Sequence, residues 1–143
     1  MNTISKFSGK YSFLSNMFDS FVMYEGRRYP CAECAFQSAK SFDEYDKLQF
    51  LICDGKEAKK LGRKVSLRSD WESVKIDIMY QILKSKFQNP ELSKLLLETG
   101  DCELIEGNTW GDRFWGVCKG VGENNLGKLL MKVRGELHGD IRS

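Results

Sequence analysis

The sequence predicts a mainly α-helical domain with a small β-hairpin near its N-terminus. Three observations predict it. Apolar residues recur at helical spacing through most of the chain after Pro30. Polar caps, an Asn-Pro pair and glycines mark where those helices start and stop. One clear pair of short β-type runs is joined by a turn containing glycine. At 143 residues the length suits one compact domain, since domains most often hold about 100–150 residues. A single domain over 1–143 is therefore expected.

The elements follow in order. Phe21-Val22-Met23-Tyr24, then Glu25-Gly26, then Arg27-Arg28-Tyr29 reads as the hairpin. Cys31 to Phe42 carries Ala32, Ala35, Phe36 and Ala39 at helical spacing. Further helices are expected near Glu44–Cys53 and Lys56–Gly62. A long helix spans Ser69–Gln88, where Ser69 and Glu72 form a capping box and Val74, Ile78 and Ile82 repeat along a buried face. Asn89-Pro90 restarts the chain with an N-cap and a proline at the first helical position. Leu92, Leu95 and Leu96 should pack inward, and Gly100 should end that helix. Cys102–Glu106 suits a short strand. The last helix opens at Asn124 or Asn125 and buries Leu126, Leu129, Leu130, Val133 and Leu137.

Composition narrows the function. The chain is 41% hydrophobic and 29% charged, which is ordinary globular composition. Its 22 basic and 20 acidic residues leave a formal charge of +2, so no extended duplex-binding surface is expected. No run of about 18 apolar residues occurs, and Met1-Asn2-Thr3-Ile4-Ser5-Lys6 lacks the apolar stretch of a signal peptide. Five cysteines cannot all pair internally, which points to reduced thiols and a cytoplasmic location. Cys31 and Cys34 form a CxxC without a second pair or a nearby histidine, and read as small residues at a helix start. The single histidine, His138, restricts the chemistry most. A Ser–His–Asp triad or a multi-histidine zinc site would have to be built around it alone. No metal and no cofactor are expected.

Three constellations could carry chemistry. Glu33, Gln37 and Lys40 stand at i, i+4 and i+7, on one helical face and within roughly 10 Å of axial rise. A carboxylate and an amine sharing a cleft suit acid–base or amine-nucleophile work. On spacing alone, a solvated polar face is the better reading. Asp112-Arg113-Phe114-Trp115-Gly116 sets an acid beside tryptophans in a glycine-bearing stretch that includes Trp110. Those tryptophans suit stacking on a heterocycle and plugging a core equally well. Gly120 to Gly127 is a glycine-rich loop entering a helix, which suits a phosphate. It matches neither the dinucleotide fingerprint nor a P-loop, and loop closure with an Asn cap explains it too. Arg63 is a further candidate anion anchor.

Taken together, the motifs resemble the NADAR family, also called YbiA-like. They are Tyr11-Ser12-Phe13-Leu14-Ser15-Asn16, Glu33-x-Ala35-Phe36-Gln37-x-x-Lys40 and Leu61-Gly62-Arg63. Trp71-Glu72-x-x-Lys75, Met79, Lys86-Phe87, Thr99-Gly100 and Leu104-Ile105-Glu106 follow in the same order. Asp112-x-x-Trp115-Gly116 and Asn125-Leu126-Gly127-x-x-Leu130-Met131 complete the set. The match runs from about Phe7 to Leu137. Met17 departs from the aromatic common after Ser-Asn, and Cys34 stands where histidine is often found.

The resemblance implies a YbiA-like multihelical fold and an N-glycosidase that breaks the bond between C1 of a phosphorylated ribose and a base nitrogen. Its substrates would be ADP-ribose attached to guanine in nucleic acid, or the ribosylamino-pyrimidine phosphates of riboflavin synthesis. The first is the preferred expectation, on the Phe13-Leu14-Ser15-Asn16 and Gly122-Glu123-Asn124-Asn125-Leu126-Gly127 versions of the motifs. A non-catalytic module that binds ADP-ribose or a modified base is the third alternative. By the same resemblance Glu33, Lys40 and Asp112 would be catalytic. Asn16, Phe36, Gln37, Arg63, Trp71, Trp115, Gly116 and Asn125 would bind substrate. Oligomeric state has no signature in the sequence.

Overall fold

The structure is a computed structural model and describes residues 2–142. The chain packs as two units, Asn16–Lys86 and a second made of Met1–Ser15 with Phe87–Ser143. In chain order the elements begin with β1 (Thr3–Ile4) and a 3-10 turn at Gly9–Leu14. The Asn16–Lys86 unit contributes β2 (Val22–Tyr24), β3 (Arg27–Tyr29), α1 (Ala32–Ser38), α2 (Glu44–Leu48), α3 (Gly55–Gly62) and α4 (Trp71–Lys86). The remainder holds α5 (Pro90–Glu98), β4 (Glu103–Leu104), β5 (Gly107–Asn108), β6 (Val117–Cys118) and α6 (Asn125–Arg142). The mainly helical expectation holds.

In the Asn16–Lys86 unit, β2 and β3 pair antiparallel with Val22 opposite Tyr29 and Tyr24 opposite Arg27. Glu25 and Gly26 both have positive φ, 48° and 78°, the type I′ geometry whose twist matches the strands. Every residue of α1 is buried. Ala32, Cys34, Ala35 and Ser38 are small enough to let the hairpin, α3 and α4 close around it. This helix stops at Ser38, short of the Phe42 the spacing suggests, because Arg68 donates its amide to the Lys40 carbonyl (2.7 Å) and a guanidinium N–H to that of Ala39 (3.4 Å). The expected Glu44–Cys53 helix is likewise split into α2 and a 3-10 turn at Gln49–Leu51.

The expected capping box of α4 is not formed. The helix begins at Trp71, so Asp70 precedes it, and the Asp70 carboxylate is taken by Arg68 in a two-point pair at 2.6 and 3.0 Å. With the helix starting at Trp71, Ser69 stands one position too far back to be its N-cap, and Glu72 is too early to complete the box. Along α4, Trp71, Ile78, Met79, Ile82, Leu83 and Lys86 are buried, whereas Val74 is only half-buried.

The second unit is tied together by very short strands. β1 runs parallel to β4 (Thr3 with Glu103, Ile4 with Leu104), and β5 runs parallel to β6. Two-residue strands carry no readable periodicity, so β1, β5 and β6 escape sequence reasoning. Asn89 caps α5 as expected, accepting the amides of Glu91 (2.9 Å) and Leu92 (3.3 Å), and Gly100 ends it at φ 59°. Leu92 and Leu96 are buried; Leu95 points outward at 40% exposure, a correction to the inward expectation. Leu92 and Leu96 stand one turn apart at the centre of the stripe, whereas Leu95 lies about 100° round the helix from Leu96, at the stripe's edge, where solvent reaches it. On α6, Leu126, Leu129, Leu130 and Val133 are buried and Leu137 is half-buried.

Gly127 lies where the α6 backbone meets the Leu104 carbonyl, and a Cβ there would overlap that oxygen and the Asn124 side chain. Gly127→Ala is therefore expected to destabilise the protein by about 2–4 kcal/mol, because backbone rather than a flexible side-chain tip must move. Chemical denaturation measures this, and a change under about 0.5 kcal/mol, the usual range for a surface substitution, would refute the close approach.

Candidate active site

The Asn16–Lys86 unit brings together Asn16, Glu33, Phe36, Gln37, Lys40, Arg63 and Trp71. Glu33 and Gln37 stand one turn apart on α1 and are only 6% and 7% exposed. The solvated polar face favoured by spacing alone is thereby excluded. Gln37 donates its amide N–H to the Glu33 carboxylate at 2.6 Å. The Glu33 backbone N–H donates to the Asn16 carbonyl at 2.9 Å, which anchors the first turn of α1. Asn16 donates its side-chain amide to Met79 Sδ at 3.5 Å. Asn16 Oδ1 and Gln37 Oε1 are buried without a hydrogen-bond donor in the protein. Each such acceptor costs on the order of 1–3 kcal/mol, so two of them on residues bonded to Glu33 mark a polar site kept against stability.

Glycine sets how closely α3 approaches. A Cβ on Gly62 would overlap the Gln37 side-chain oxygen Oε1, so the Leu61-Gly62-Arg63 motif lets α3 close over the Glu33–Gln37 pair. Arg63 follows at the C-cap of α3 and is exposed. Phe36 and Trp71 pack with ring centroids 5.0 Å apart, and the Lys40 ammonium lies 5.9 Å from the Trp71 ring centroid. Trp71 is buried and forms the floor under the amine.

Burial pushes the Lys40 pKa below the usual lysine value of 10.5. The Glu33 charge opposes that shift, while Arg63 and Lys75 add to it by like-charge repulsion. The outcome is an amine with more of its neutral, nucleophilic form near neutral pH than an exposed lysine has. Lys75 is the member to which sequence reasoning assigned no role. A signal for it exists, since it lies four residues after Trp71 on the same face of α4.

Asp112, Trp115, Gly116 and Asn125 belong to the other unit and build a loop frame. Asp112 Oδ1 accepts the amides of Phe114 (3.1 Å) and Trp115 (2.8 Å). Asn108 accepts the Asp112 amide at 3.0 Å and donates to the Asp112 carbonyl at 2.8 Å. Gly116 is the close-approach position, where a Cβ would overlap Glu106. Trp115 packs edge-on against Phe114 at 4.9 Å, whereas Trp110 is 63% exposed. The core-plug reading therefore fails for Trp110.

The helix start after Gly122 does not offer its amides to a phosphate. Those of Glu123, Asn124, Asn125 and Leu126 donate to the carbonyls of Arg113, Gly116, Phe114 and Trp115. The Asn125 side chain donates to the Phe114 carbonyl at 2.9 Å as well. Asn124, with φ 56°, clamps β4 by donating to the Leu104 carbonyl and accepting the Glu106 amide, both at 2.9 Å. Elsewhere, the Cys31 and Cys34 thiols sit 3.4 Å apart at the start of α1, in agreement with the helix-start reading. Among the described residues no cluster of three or more His, Cys, Asp or Glu is arranged to hold a metal ion, and no helix is long and apolar enough to cross a membrane.

The sequence of residues 3–138 matches the NADAR domain family. The chain belongs to the NADAR family. It is 38% identical over 135 residues to N-glycosidase YbiA of Escherichia coli, covering 91% of this chain and 84% of that protein. A riboflavin biosynthesis protein of Vibrio vulnificus is 37% identical over 134 residues, covering 89% of this chain and 36% of its own length. The NMR structure of E. coli YbiA superimposes with a TM-score of 0.88 at 34% identity, covering all of this chain and 90% of that one. The helical NADAR fold is thus shared along its length, and membership places the chain among N-glycosyl hydrolases.

Proposed function

We propose that this NADAR protein hydrolyses the bond between C1 of a phosphorylated ribose and a base nitrogen, with ADP-ribosyl-guanine in nucleic acid as its substrate. The single observation that carries the chemistry is the buried Glu33 carboxylate, held by Gln37 on α1, with the Lys40 amine just beyond the end of that helix and within its electrostatic reach. Breaking the C1–N bond builds positive charge on the ribose, and a fixed carboxylate in a water-poor setting stabilises that charge. In the direct route Glu33 orients a water whose oxygen adds to C1, while the departing nitrogen gains a proton. In the lysine route the sugar ring opens, the Lys40 amine adds at C1 and the base leaves as its amine. A lysine Schiff base remains, which water hydrolyses to free the sugar and the amine.

Depression of the Lys40 pKa by burial supports the lysine route. Asp112 and Trp115 are assigned roles by the family motif alone. The ribosylamino-pyrimidine phosphates of riboflavin synthesis are the second substrate reading, favoured by the similarity to the Vibrio vulnificus riboflavin biosynthesis protein.

Purified protein should be given an oligonucleotide carrying ADP-ribosyl-guanine and, in parallel, a ribosylamino-pyrimidine 5-phosphate, with released base followed by chromatography. Release from the first supports the leading reading, and release from the second alone replaces it. Ligand-induced thermal stabilisation without release from either would make the protein a binding module. Borohydride added during turnover should leave a sugar adduct on Lys40, with a yield that rises with pH at a midpoint below 10.5. An unmodified intact mass under active turnover would eliminate the lysine route.

A further inference from the structure

Lys75 has no part in the chemistry described so far, yet three facts set it beside the site. Its side chain is 16% exposed, although its ion-pair partner one turn back, Glu72, is 80% exposed with the ammonium 2.8 Å away. It lies four residues after Trp71 on α4, a rise of about 6 Å, and Trp71 is the floor beneath the Lys40 ammonium. Lys75 and Arg63 both act electrostatically on Lys40 from different elements, α4 and the end of α3, while Glu33 is the carboxylate that acts on it. Arg63 directly follows Gly62, which abuts the side chain of Gln37, the residue that holds the Glu33 carboxylate. Half-buried Lys40 and Lys75 and the exposed Arg63 thus come from three segments of the unit to one carboxylate. The helix that Arg63 caps, α3, is itself basic, with Lys56, Lys59 and Lys60 accompanying a lone Glu57. Two half-buried ammoniums and an exposed guanidinium beside one carboxylate suit a multiply charged anion.

We propose that Lys75 and Arg63 form the phosphoryl subsite of this enzyme and take the phosphate on C5 of the substrate ribose, with Lys75 exchanging the exposed Glu72 carboxylate for a phosphate oxygen. This rests on the N-glycosidase reading and deepens it. Both substrate readings carry a phosphoryl group at C5, a monoester in one and a diphosphate in the other, so one subsite serves either. The Glu72–Lys75 pair holds the ammonium in place before substrate arrives, which lowers the ordering cost of binding. Arg63 supplies the planar fork suited to two phosphate oxygens. No backbone amides from the α6 start are needed, in keeping with their use within the loop.

The test is calorimetric binding of ribose 5-phosphate, ADP-ribose and unphosphorylated ribose to the wild type and to Lys75→Met, Lys75→Arg and Arg63→Met. Lys75→Met should weaken both phosphorylated ligands about 10- to 100-fold, as expected for one charge-assisted hydrogen bond, and leave ribose unchanged. Lys75→Arg should recover most of the loss. Arg63 is exposed, so Arg63→Met should fold normally and reproduce the weakening even if Lys75→Met does not fold. Tighter binding of ADP-ribose than of ribose 5-phosphate would identify the diphosphate as the source of the anion, and the reverse order the monoester. Equal affinity in wild type and both methionine variants, or no binding of either phosphorylated ligand to the wild type, overturns the subsite. Phosphate-dependent binding without base release would instead overturn the N-glycosidase reading and keep the subsite.

Discussion

Glu33→Gln is expected to slow base release by about 10³-fold or more while leaving the protein folded. The carboxylate is asked to stabilise charge on the ribose and to orient water, effects that are each worth about 10²–10⁴-fold in comparable sites. Glutamine preserves the volume and can still meet Gln37, but it brings no negative charge to the reacting carbon. Removing the charge of the buried Glu33 relieves its own desolvation but withdraws the anion that offsets Lys40, and because these effects oppose one another the melting temperature should change little. Loss of rate at nearly unchanged stability is the signature of a residue kept for chemistry. Base release within threefold of wild type would remove Glu33 from the mechanism, and the family motif would then mark a packing position. The same variant separates the two routes. If Lys40 still forms a borohydride-trapped adduct in Glu33→Gln, the carboxylate acts after the amine has attacked.

Lys86→Met is the second large effect, and it concerns stability. Lys86 is 1% exposed in the last turn of α4, with its ammonium 5.9 Å from the Phe18 ring centroid. Burial pushes its pKa down to about 7, opposed by the nearby Cys31 thiolate form. Below pH 7 the folded protein carries a buried ammonium and bears the whole desolvation cost. Between pH 7 and 10.5 the unfolded chain still binds a proton that the folded chain has released, so stability rises with pH. Above 10.5 both states are neutral and the cost is gone. Methionine fills similar space without the charge. Lys86→Met should therefore be more stable than wild type by up to about 5 kcal/mol below pH 7, an upper figure from the size of the shift. That advantage should shrink toward pH 10.5. Ammonium contacts that methionine cannot replace would offset the gain equally at every pH, so the slope is the diagnostic. Denaturant unfolding of both proteins at pH 6, 8 and 9.5 measures it, and a difference that does not vary with pH would refute a buried, depressed amine.

Both residues show where sequence reading succeeds and where it stops. Lys86 continues the Ile78–Ile82 stripe by four residues, so its inward direction was legible from periodicity. Its isolation from water was not, because that depends on which elements cover the stripe. Glu33, Gln37 and Lys40 were readable as one helical face, and their spacing pointed to solvent. The structure reverses that expectation because α1 is only seven residues long and enclosed on every side. A short helix made of alanine, cysteine and serine is small enough to be surrounded, and its polar side chains are then buried with it. The failed capping box at Ser69 follows the same logic. The helix starts one residue later than the local pattern requires, behind an Asp70 paired with Arg68, whose other bonds reach back to Ala39 and Lys40.

Local chemistry alone determined the elements that depend on neighbours in the chain. The type I′ turn at Glu25-Gly26, the Asn89-Pro90 start, the Gly100 stop and the helical class all follow from dihedral preferences and capping within a few residues. Ordered motifs fixed the family for a similar reason, since they are themselves strings of residues. Only the tertiary structure decided that Glu33 is buried, that Trp71 floors Lys40, and that the amides after Gly122 serve a loop rather than a phosphate. Those outcomes depend on solvent exclusion and on carbonyls brought from elsewhere in the chain, and neither is a property of any short stretch of sequence.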